Sequence, residues 1–214
     1  LWRDGPHHLE DVVIYARERG YLTVVVYTNG TLPLLTTAET VFVSLDGLHE
    51  THDALRGESF DRIVENIRDS AHPSIFVNFT INQVNQHEIV AFCAFIQGVP
   101  QVRGIFFYFH TPYYGQDDLY LDDASKGRIL RGLLVLRKRY RILNSRAGLL
   151  AALRNDWKRP LAMCSVYEHG TVYPCCRFSG DDALCGACGY LSYAEIDQVL
   201  KLRPSAIYNA FKYF

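Results

Sequence analysis

The 214-residue sequence lacks an excess of charge of either sign and lacks any long uninterrupted apolar run. Its formal net charge is −1, so the basic surface typical of nucleic-acid binding is not expected. No stretch of about 18 apolar residues occurs, so no transmembrane segment is expected. Internal repeats and low-complexity tracts are also absent. With 49% hydrophobic and 21% charged residues, the composition is typical of a globular protein.

Cysteine is nearly missing from the first three-quarters of the chain, where Cys93 is the single example. Cys93 continues an apolar helical face, so we expect a buried structural thiol there. The remaining cysteines crowd into the last quarter, as Cys164, Cys175, Cys176, Cys185 and Cys188. A secreted disulfide framework would spread through the chain, whereas this crowding indicates metal ligation in a reducing compartment. A cytoplasmic protein is therefore expected.

Short apolar runs alternate with helical patterns through the first part of the chain. Strands are predicted at Leu22–Tyr27, Val41–Leu45, Ile75–Ile81 and Gly104–His110. Strand–helix alternation with short connections favours parallel βα units that form a barrel or an open sheet. The sequence therefore predicts the α/β class, with residues 1–145 as the βα domain.

The alternation stops after Asn144–Ser145, and residues 146–214 form a second predicted region. Met163–Tyr167 and Thr171–Tyr173 flank His169–Gly170, which predicts a β-hairpin. The cysteines surround this hairpin, and amphipathic helices follow it. We therefore expect a small Cys-rich hairpin extension with C-terminal helices.

Polar side chains lie at or just beyond the ends of the predicted strands, at Asn29, Ser44, Asp46, Asn82 and His110. Parallel βα folds bind ligands at the carboxyl ends of their strands, so these residues predict one continuous site. Turn chemistry explains each residue taken alone, because Asn-Gly and Asp-Gly are common turn formers. Arg56 lies just beyond a strand-end loop, and its guanidinium suits a carboxylate ligand by bidentate pairing.

Four of the clustered cysteines are candidate metal ligands: Cys164, Cys175, Cys185 and Cys188. A CxxC turn bends two sulfurs toward a common point, and the hairpin adds the others. Because Cys175 and Cys176 are adjacent, they cannot easily point the same way, and Cys175 is the predicted ligand. The spacing fits zinc and an iron–sulfur cluster alike, since tetrathiolate sites suit both.

The order and spacing of these residues resemble a known family. Thr28–Thr31 and Val43–Gly47, followed by His52 and Arg56, closely resemble the central part of radical S-adenosylmethionine (SAM) enzymes. Gly170–Cys175 is similar to the Gly-x4-Cys signature of the Cys-rich C-terminal extension called SPASM or, when shortened, twitch. The resemblance covers roughly residues 1–110 and 160–190.

The resemblance implies a partial (β/α)6 barrel of the radical SAM type, lacking its first strands. The family binds a catalytic 4Fe–4S cluster on a CxxxCxxC loop and carries a Gly-Gly-Glu-Pro motif, and neither motif occurs here. The sequence also opens on Leu1 rather than methionine. Further structure is therefore expected before Leu1, and these 214 residues alone are not expected to cleave SAM.

The resemblance also implies site residues and partners. SAM would contact Asn29, Ser44, Asp46, Arg56 and Asn82, with Ser44 at its methionyl or ribosyl part and Arg56 at its carboxylate. The C-terminal cysteines would hold an auxiliary iron–sulfur cluster. Reductive cleavage of SAM would give a 5′-deoxyadenosyl radical that abstracts hydrogen from a small-molecule, lipid or peptide substrate. Ferredoxin or flavodoxin would serve as the electron donor.

Two other interpretations stay open on the sequence. The first is a non-catalytic α/β binding module with a structural zinc site at the cysteines. The second is a different barrel enzyme with an acid–base site, for which Asp46 is the one obvious candidate.

Overall fold

The computed structural model describes residues 9–115, 117–158, 164–176 and 180–213. The chain divides into two compact units. Unit 1 comprises the residues up to Phe79 together with Ala91–Ile105, and unit 2 comprises Thr80–Val90 and the residues from Phe106 onward. The domain boundary placed at residue 145 from the sequence stays a prediction.

A four-stranded sheet has the strand order β1-β2-β3-β4. The strands are β1 Val25–Thr28, β2 Thr40–Ser44, β3 Ile75–Ile81 and β4 Val102–Phe109. Pairing is parallel between β1 and β2 and between β2 and β3. Four helices accompany these strands: α1 Leu9–Glu18, α2 His49–Arg56, α3 Phe60–Arg68 and α4 Ile89–Gln97. The predicted α/β class is confirmed.

The core of unit 1 lies on β2 and β3, which are apolar on both faces as buried parallel strands usually are. Val43 and Val77 have no exposed surface, and Ile63 of α3 is 1% exposed. Cys93 of α4 is buried, and burial raises the pKa of its thiol to about 12. The expected structural thiol is therefore confirmed.

Unit 2 consists of helices and a hairpin. Its elements are α5 Asp123–Leu136, α6 Arg146–Arg154, β5 Ser165–Glu168, β6 Thr171–Pro174, α7 Asp182–Gly186, α8 Leu191–Leu200 and α9 Pro204–Tyr213. β5 and β6 pair antiparallel, and the turn residues His169 and Gly170 both have positive φ, at 48° and 84°. Positive φ at both turn positions is the pattern of a type I′ turn. The predicted hairpin is confirmed, although Met163 lies outside the described residues.

None of the helices in the described residues combines the length and the apolar character that a membrane crossing requires.

A carboxyl group from α8 accepts a hydrogen bond at the N-terminus of α6. The Ser145 side chain accepts a hydrogen bond from the Gly148 amide at 2.9 Å, and Glu195 Oε1 accepts one from the Ser145 amide at 2.8 Å. A Cβ at position 148 would overlap the Glu195 carboxyl group, so this close approach requires glycine. Burial raises the pKa of Glu195 to about 7, against the opposing effect of these hydrogen bonds.

This raised pKa predicts that Glu195→Gln changes the pH dependence of stability. The folded protein holds a proton on Glu195 up to about pH 7, whereas an unfolded glutamate, with its ordinary pKa of 4.5, releases it well below that. The stabilisation of the folded state by the protonated Glu195 is therefore fully present below pH 4.5 and is lost as the pH rises through about 7. The loss is up to about 3 kcal/mol, because one pKa unit corresponds to about 1.4 kcal/mol.

Urea unfolding at pH 5 and pH 8 measures this effect. We expect the free energy of unfolding of Glu195→Gln, relative to that of the parent protein, to increase as the pH rises. Glutamine keeps an acceptor for the Ser145 amide and carries no charge. Glu50→Gln, at an exposed position of α2, is the control. If the free energy of unfolding changes equally with pH in Glu195→Gln and in the parent, the raised pKa of Glu195 is contradicted.

Candidate functional site

The turn after β1 is fixed by its own side chains. Asn29 Oδ1 accepts hydrogen bonds from the Thr31 amide at 3.2 Å and the Thr31 hydroxyl at 3.0 Å. Gly30 has φ 74°, and a Cβ there would lie 2.5 Å from Val43 Cγ1. The Gly30 carbonyl accepts a hydrogen bond from Asn66 Nδ2 at 2.8 Å. Asn29 is thus held at the carboxyl end of β1, on an exposed turn with its oxygen engaged locally.

A buried histidine fixes the loop after β2. The Asp46 amide donates to His52 Nδ1 at 3.1 Å, and His52 Nε2 lies 3.2 Å from Ser59 Oγ. The Ser59 hydroxyl in turn donates to the Gly57 carbonyl at 2.9 Å. His52 has no exposed surface, and burial lowers its pKa. This network needs the neutral ring protonated at Nε2, so His52 is a structural residue that positions Asp46.

Asp46 holds Arg56 in place. Arg56 Nε donates to Asp46 Oδ2 at 2.5 Å, and the Asp46 side chain is 7% exposed while that of Arg56 is 37% exposed. The predicted carboxylate-binding arginine therefore has a carboxylate partner within unit 1. A guanidinium has five N–H donors, and this contact uses the one on Nε. Asp46 therefore binds the Nε side of the Arg56 guanidinium, and the other N–H donors of this group lie at the surface.

The helix that follows this loop is capped differently from the usual pattern. Ser59 occupies the N-cap position of α3, but its side chain makes no cap hydrogen bond. Asp53 Oδ1 instead accepts from the Ser59 and Phe60 amides at 3.0 and 2.9 Å. These two hydrogen bonds lower the pKa of Asp53. Asp53 therefore caps α3. The sequence did not indicate this role, because the capping residue belongs to the preceding helix.

Ser44 and Asn78 form a polar pair on one face of the sheet. They are partners in the parallel register of β2 and β3, so their side chains point to the same face. Asn78 Oδ1 is buried and has no hydrogen-bond partner among residues 9–115, 117–158, 164–176 and 180–213. Within the described residues the Ser44 hydroxyl makes no hydrogen bond, and Ser44 is only half-buried. Sequence reasoning missed Asn78, although a lone polar residue inside the apolar run of β3 was a usable signal.

The polar pair lies next to a row of aromatic rings on the same face. Tyr27 stacks on Phe42 with ring centroids 4.9 Å apart, and Phe42 stacks on Phe76 at 5.3 Å. Phe42 and Phe76 are buried, whereas Tyr27 is 57% exposed. The next row on this face consists of Ser44, the last residue of β2, and Asn78, in the middle of β3.

Asn82, the remaining predicted SAM contact, lies in unit 2. Asn82 Oδ1 accepts from the Val84 and Asn85 amides at 2.9 and 3.1 Å. The Asn82 amide donates to Asn85 Oδ1 at 2.8 Å. These bonds shape the turn after β3, so the structure gives Asn82 a local structural role and its contact with SAM stays a prediction.

The predicted metal ligands fall into two groups in unit 2. The Cys175 amide donates to the Cys164 carbonyl at 2.7 Å, at the open end of the hairpin. Cys185 lies in α7, and the Cys188 amide lies 3.4 Å from the Cys185 carbonyl. Gly189 then anchors this CxxC turn at the end of β4, because its carbonyl accepts from the Phe109 amide at 3.0 Å.

Tyr193 of α8 joins the hairpin cysteines. Its hydroxyl lies 3.8 Å from Cys164 Sγ and donates to the Cys175 carbonyl at 3.3 Å. Burial raises the pKa of the Cys175 thiol, and a hydrogen bond with Tyr193 opposes this shift. No sequence signal pointed to Tyr193.

These contacts bring two thiols together without completing a four-ligand centre. Across residues 9–115, 117–158, 164–176 and 180–213, no group of three or more His, Cys, Asp or Glu side chains is arranged to hold a metal ion. All the cysteines are free thiols. The ligand set Cys164, Cys175, Cys185 and Cys188 therefore stays a prediction, as does the choice of Cys175 over Cys176.

Neither a family model nor a curated protein matches this sequence. The fold and the site define the protein as an α/β protein that has polar side chains at the ends of parallel strands and a hairpin that carries cysteines.

Proposed function

We propose that the strand-end site of unit 1 binds SAM, as in the radical SAM enzymes that the sequence resembles. The observation that supports this is the buried Asn78 oxygen, which lies next to the Ser44 hydroxyl in the sheet register and has no hydrogen-bond partner in the part of the chain that the structure describes. An unsatisfied buried acceptor costs about 1–3 kcal/mol. Such a cost in a functional protein is accounted for when a bound ligand supplies the missing donor.

The chemistry of SAM matches the groups at this site. SAM carries ribose hydroxyls and an amino group, which donate hydrogen bonds, and a carboxylate, which accepts them. Asn78 and Ser44 would take the donors, and Arg56 would take the carboxylate through its Nη groups. The ion pair with Asp46 fixes the guanidinium before a ligand arrives. Preorganisation of this kind reduces the entropy lost on binding.

The cysteines of unit 2 would hold the auxiliary iron–sulfur cluster in this proposal. The paired Cys164 and Cys175 and the CxxC turn of Cys185 and Cys188 would be the ligands. Such a cluster supplies a redox centre. The partners would be a ferredoxin or flavodoxin and an organic substrate, in the cytoplasm. Because no CxxxCxxC motif occurs in the sequence, these residues would bind SAM without cleaving it.

Calorimetric titration with S-adenosylhomocysteine, a stable SAM analogue, tests the proposal. We expect binding to the parent protein and a loss of affinity of about 3- to 10-fold in Ser44→Ala, the effect of one hydrogen bond. Ser192→Ala, on α8 of unit 2, is the matched control and should bind like the parent. No binding by a folded parent protein would refute the proposal, and unchanged affinity in Ser44→Ala would remove Ser44 from the site.

A further inference from the structure

The hairpin of unit 2 places two cysteines directly opposite each other. Ser165 pairs with Pro174 in the antiparallel register, so the next pair outward is Cys164 and Cys175. The Cys175 amide donates to the Cys164 carbonyl at 2.7 Å, which joins the two backbones just beyond the last paired residues of the hairpin. Opposite residues joined by hydrogen bonds across a hairpin have Cα atoms about 5.5 Å apart. That separation lies within the range of about 4.4–6.8 Å that a disulfide spans.

The two side chains share one neighbour. Cys175 follows the end of β6 and has φ 66°, in the left-handed region, so the alternation of strand side chains does not determine where its thiol lies. The Tyr193 hydroxyl lies 3.8 Å from Cys164 Sγ and also contacts the Cys175 side chain. Both thiols therefore approach a single oxygen atom, on a hairpin that α8 supports from one side.

We infer that Cys164 and Cys175 are a thiol–disulfide modification site. The inference needs two thiols only, and it stands whether or not the cysteines of unit 2 also bind a cluster. The described residues provide the pair but no arranged group of three metal ligands.

The exposure of the two thiols determines which of them reacts first with an oxidant. Cys164 is partly exposed, whereas Cys175 is 5% exposed. The Cys164 thiolate attacks one sulfur of an oxidant such as glutathione disulfide, and one glutathione thiolate leaves. Cys175 then loses its proton and attacks the Cys164 sulfur of the mixed disulfide, and the second glutathione leaves. In total two thiols lose two electrons and two protons, and one glutathione disulfide becomes two glutathione molecules.

Oxidation would link the two ends of the hairpin and remove two thiolates from the predicted metal set. The modified protein should therefore take up less metal than the reduced protein. The site would make metal loading of unit 2 sensitive to the thiol redox state around it.

Mass spectrometry of the chelator-treated protein after exposure to glutathione disulfide tests the inference. In Cys176→Ser we expect an internal disulfide with the loss of two hydrogen atoms. In Cys175→Ser we expect one glutathione to stay on Cys164, because the resolving thiol is absent. In the unsubstituted protein, alkylation after oxidation should label Cys176, Cys185 and Cys188 but neither Cys164 nor Cys175.

Three results would overturn the inference. The first is alkylation of Cys164 or Cys175 in the oxidised, unsubstituted protein. The second is an internal disulfide in Cys175→Ser, which would show that Cys176 is the partner. The third is oxidation that joins only Cys185 and Cys188. Alkylation of the unsubstituted protein does not depend on any variant folding, and none of these results bears on the binding of S-adenosylhomocysteine by unit 1.

Discussion

Replacing Asn78 with leucine is expected to stabilise the ligand-free protein and to weaken its binding of S-adenosylhomocysteine at least tenfold. Asn78 Oδ1 is buried, and no described residue hydrogen-bonds to it, so removing it relieves a desolvation cost of about 1–3 kcal/mol. Leucine keeps the branched shape of asparagine but cannot accept a hydrogen bond from a ligand. We expect the free energy of unfolding to rise by about 1 kcal/mol and the melting temperature by about 2–4 °C.

Asn144→Leu is the matched control for this experiment. Asn144 is fully buried, and its side chain accepts from the Phe107 amide at 2.8 Å and donates to the Phe107 carbonyl at 3.0 Å. Leucine there removes both hydrogen bonds to the Phe107 backbone and should cost about 2–4 kcal/mol. A loss of stability in Asn78→Leu similar to that of the control would show that Asn78 is a structural residue. Unfolding in urea measures stability, and calorimetry measures binding.

The second large effect is expected for Gly189→Ala. A Cβ at this position would overlap the Phe109 carbonyl group, which is backbone and cannot rotate away. Gly189 also makes two hydrogen bonds at this contact, from the Phe109 amide at 3.0 Å and to the Thr111 hydroxyl at 2.9 Å. Relief of the overlap must break this contact, so we expect a loss of about 3 kcal/mol.

The same change should release the CxxC turn. Gly189 follows Cys188 directly, so we expect Cys188 to react faster with an alkylating reagent in Gly189→Ala than in the parent protein. Gly186→Ala is the control, because a Cβ there meets no atom within 4 Å, and its stability should stay within about 0.5 kcal/mol of the parent. Similar behaviour of the two variants would show that the contact with Phe109 does not hold the turn.

The fold was predictable where local chemistry determines it. The β-branched run around Val43 and the apolar run of β3 specify buried strands, and helical patterns between them specify parallel pairing. His169–Gly170 between two short strands specifies the hairpin. The division into two units was not predictable, because the unit boundaries fall inside β3, α4 and β4. No local pattern marks a boundary within a strand.

The site was predictable in its location and less so in its details. Ser44, Asp46 and Arg56 do lie at the end of β2 and in the loop and helix that follow it. That Arg56 pairs with Asp46 depends on the path of a whole loop, which spacing does not reveal. The contact of Tyr193 with the hairpin cysteines spans a long separation along the chain, and a tyrosine on an amphipathic helix carries no sign of it.

The most direct test of the SAM site is a titration of the protein with S-adenosylhomocysteine followed by amide and side-chain NMR. We expect the signals of the Asn78 side chain, of Ser44–Gly47 and of Thr28–Gly30 to shift together and to saturate at one ligand per chain. Unchanged signals, or shifts confined to unit 2, would contradict the assignment of this strand-end site.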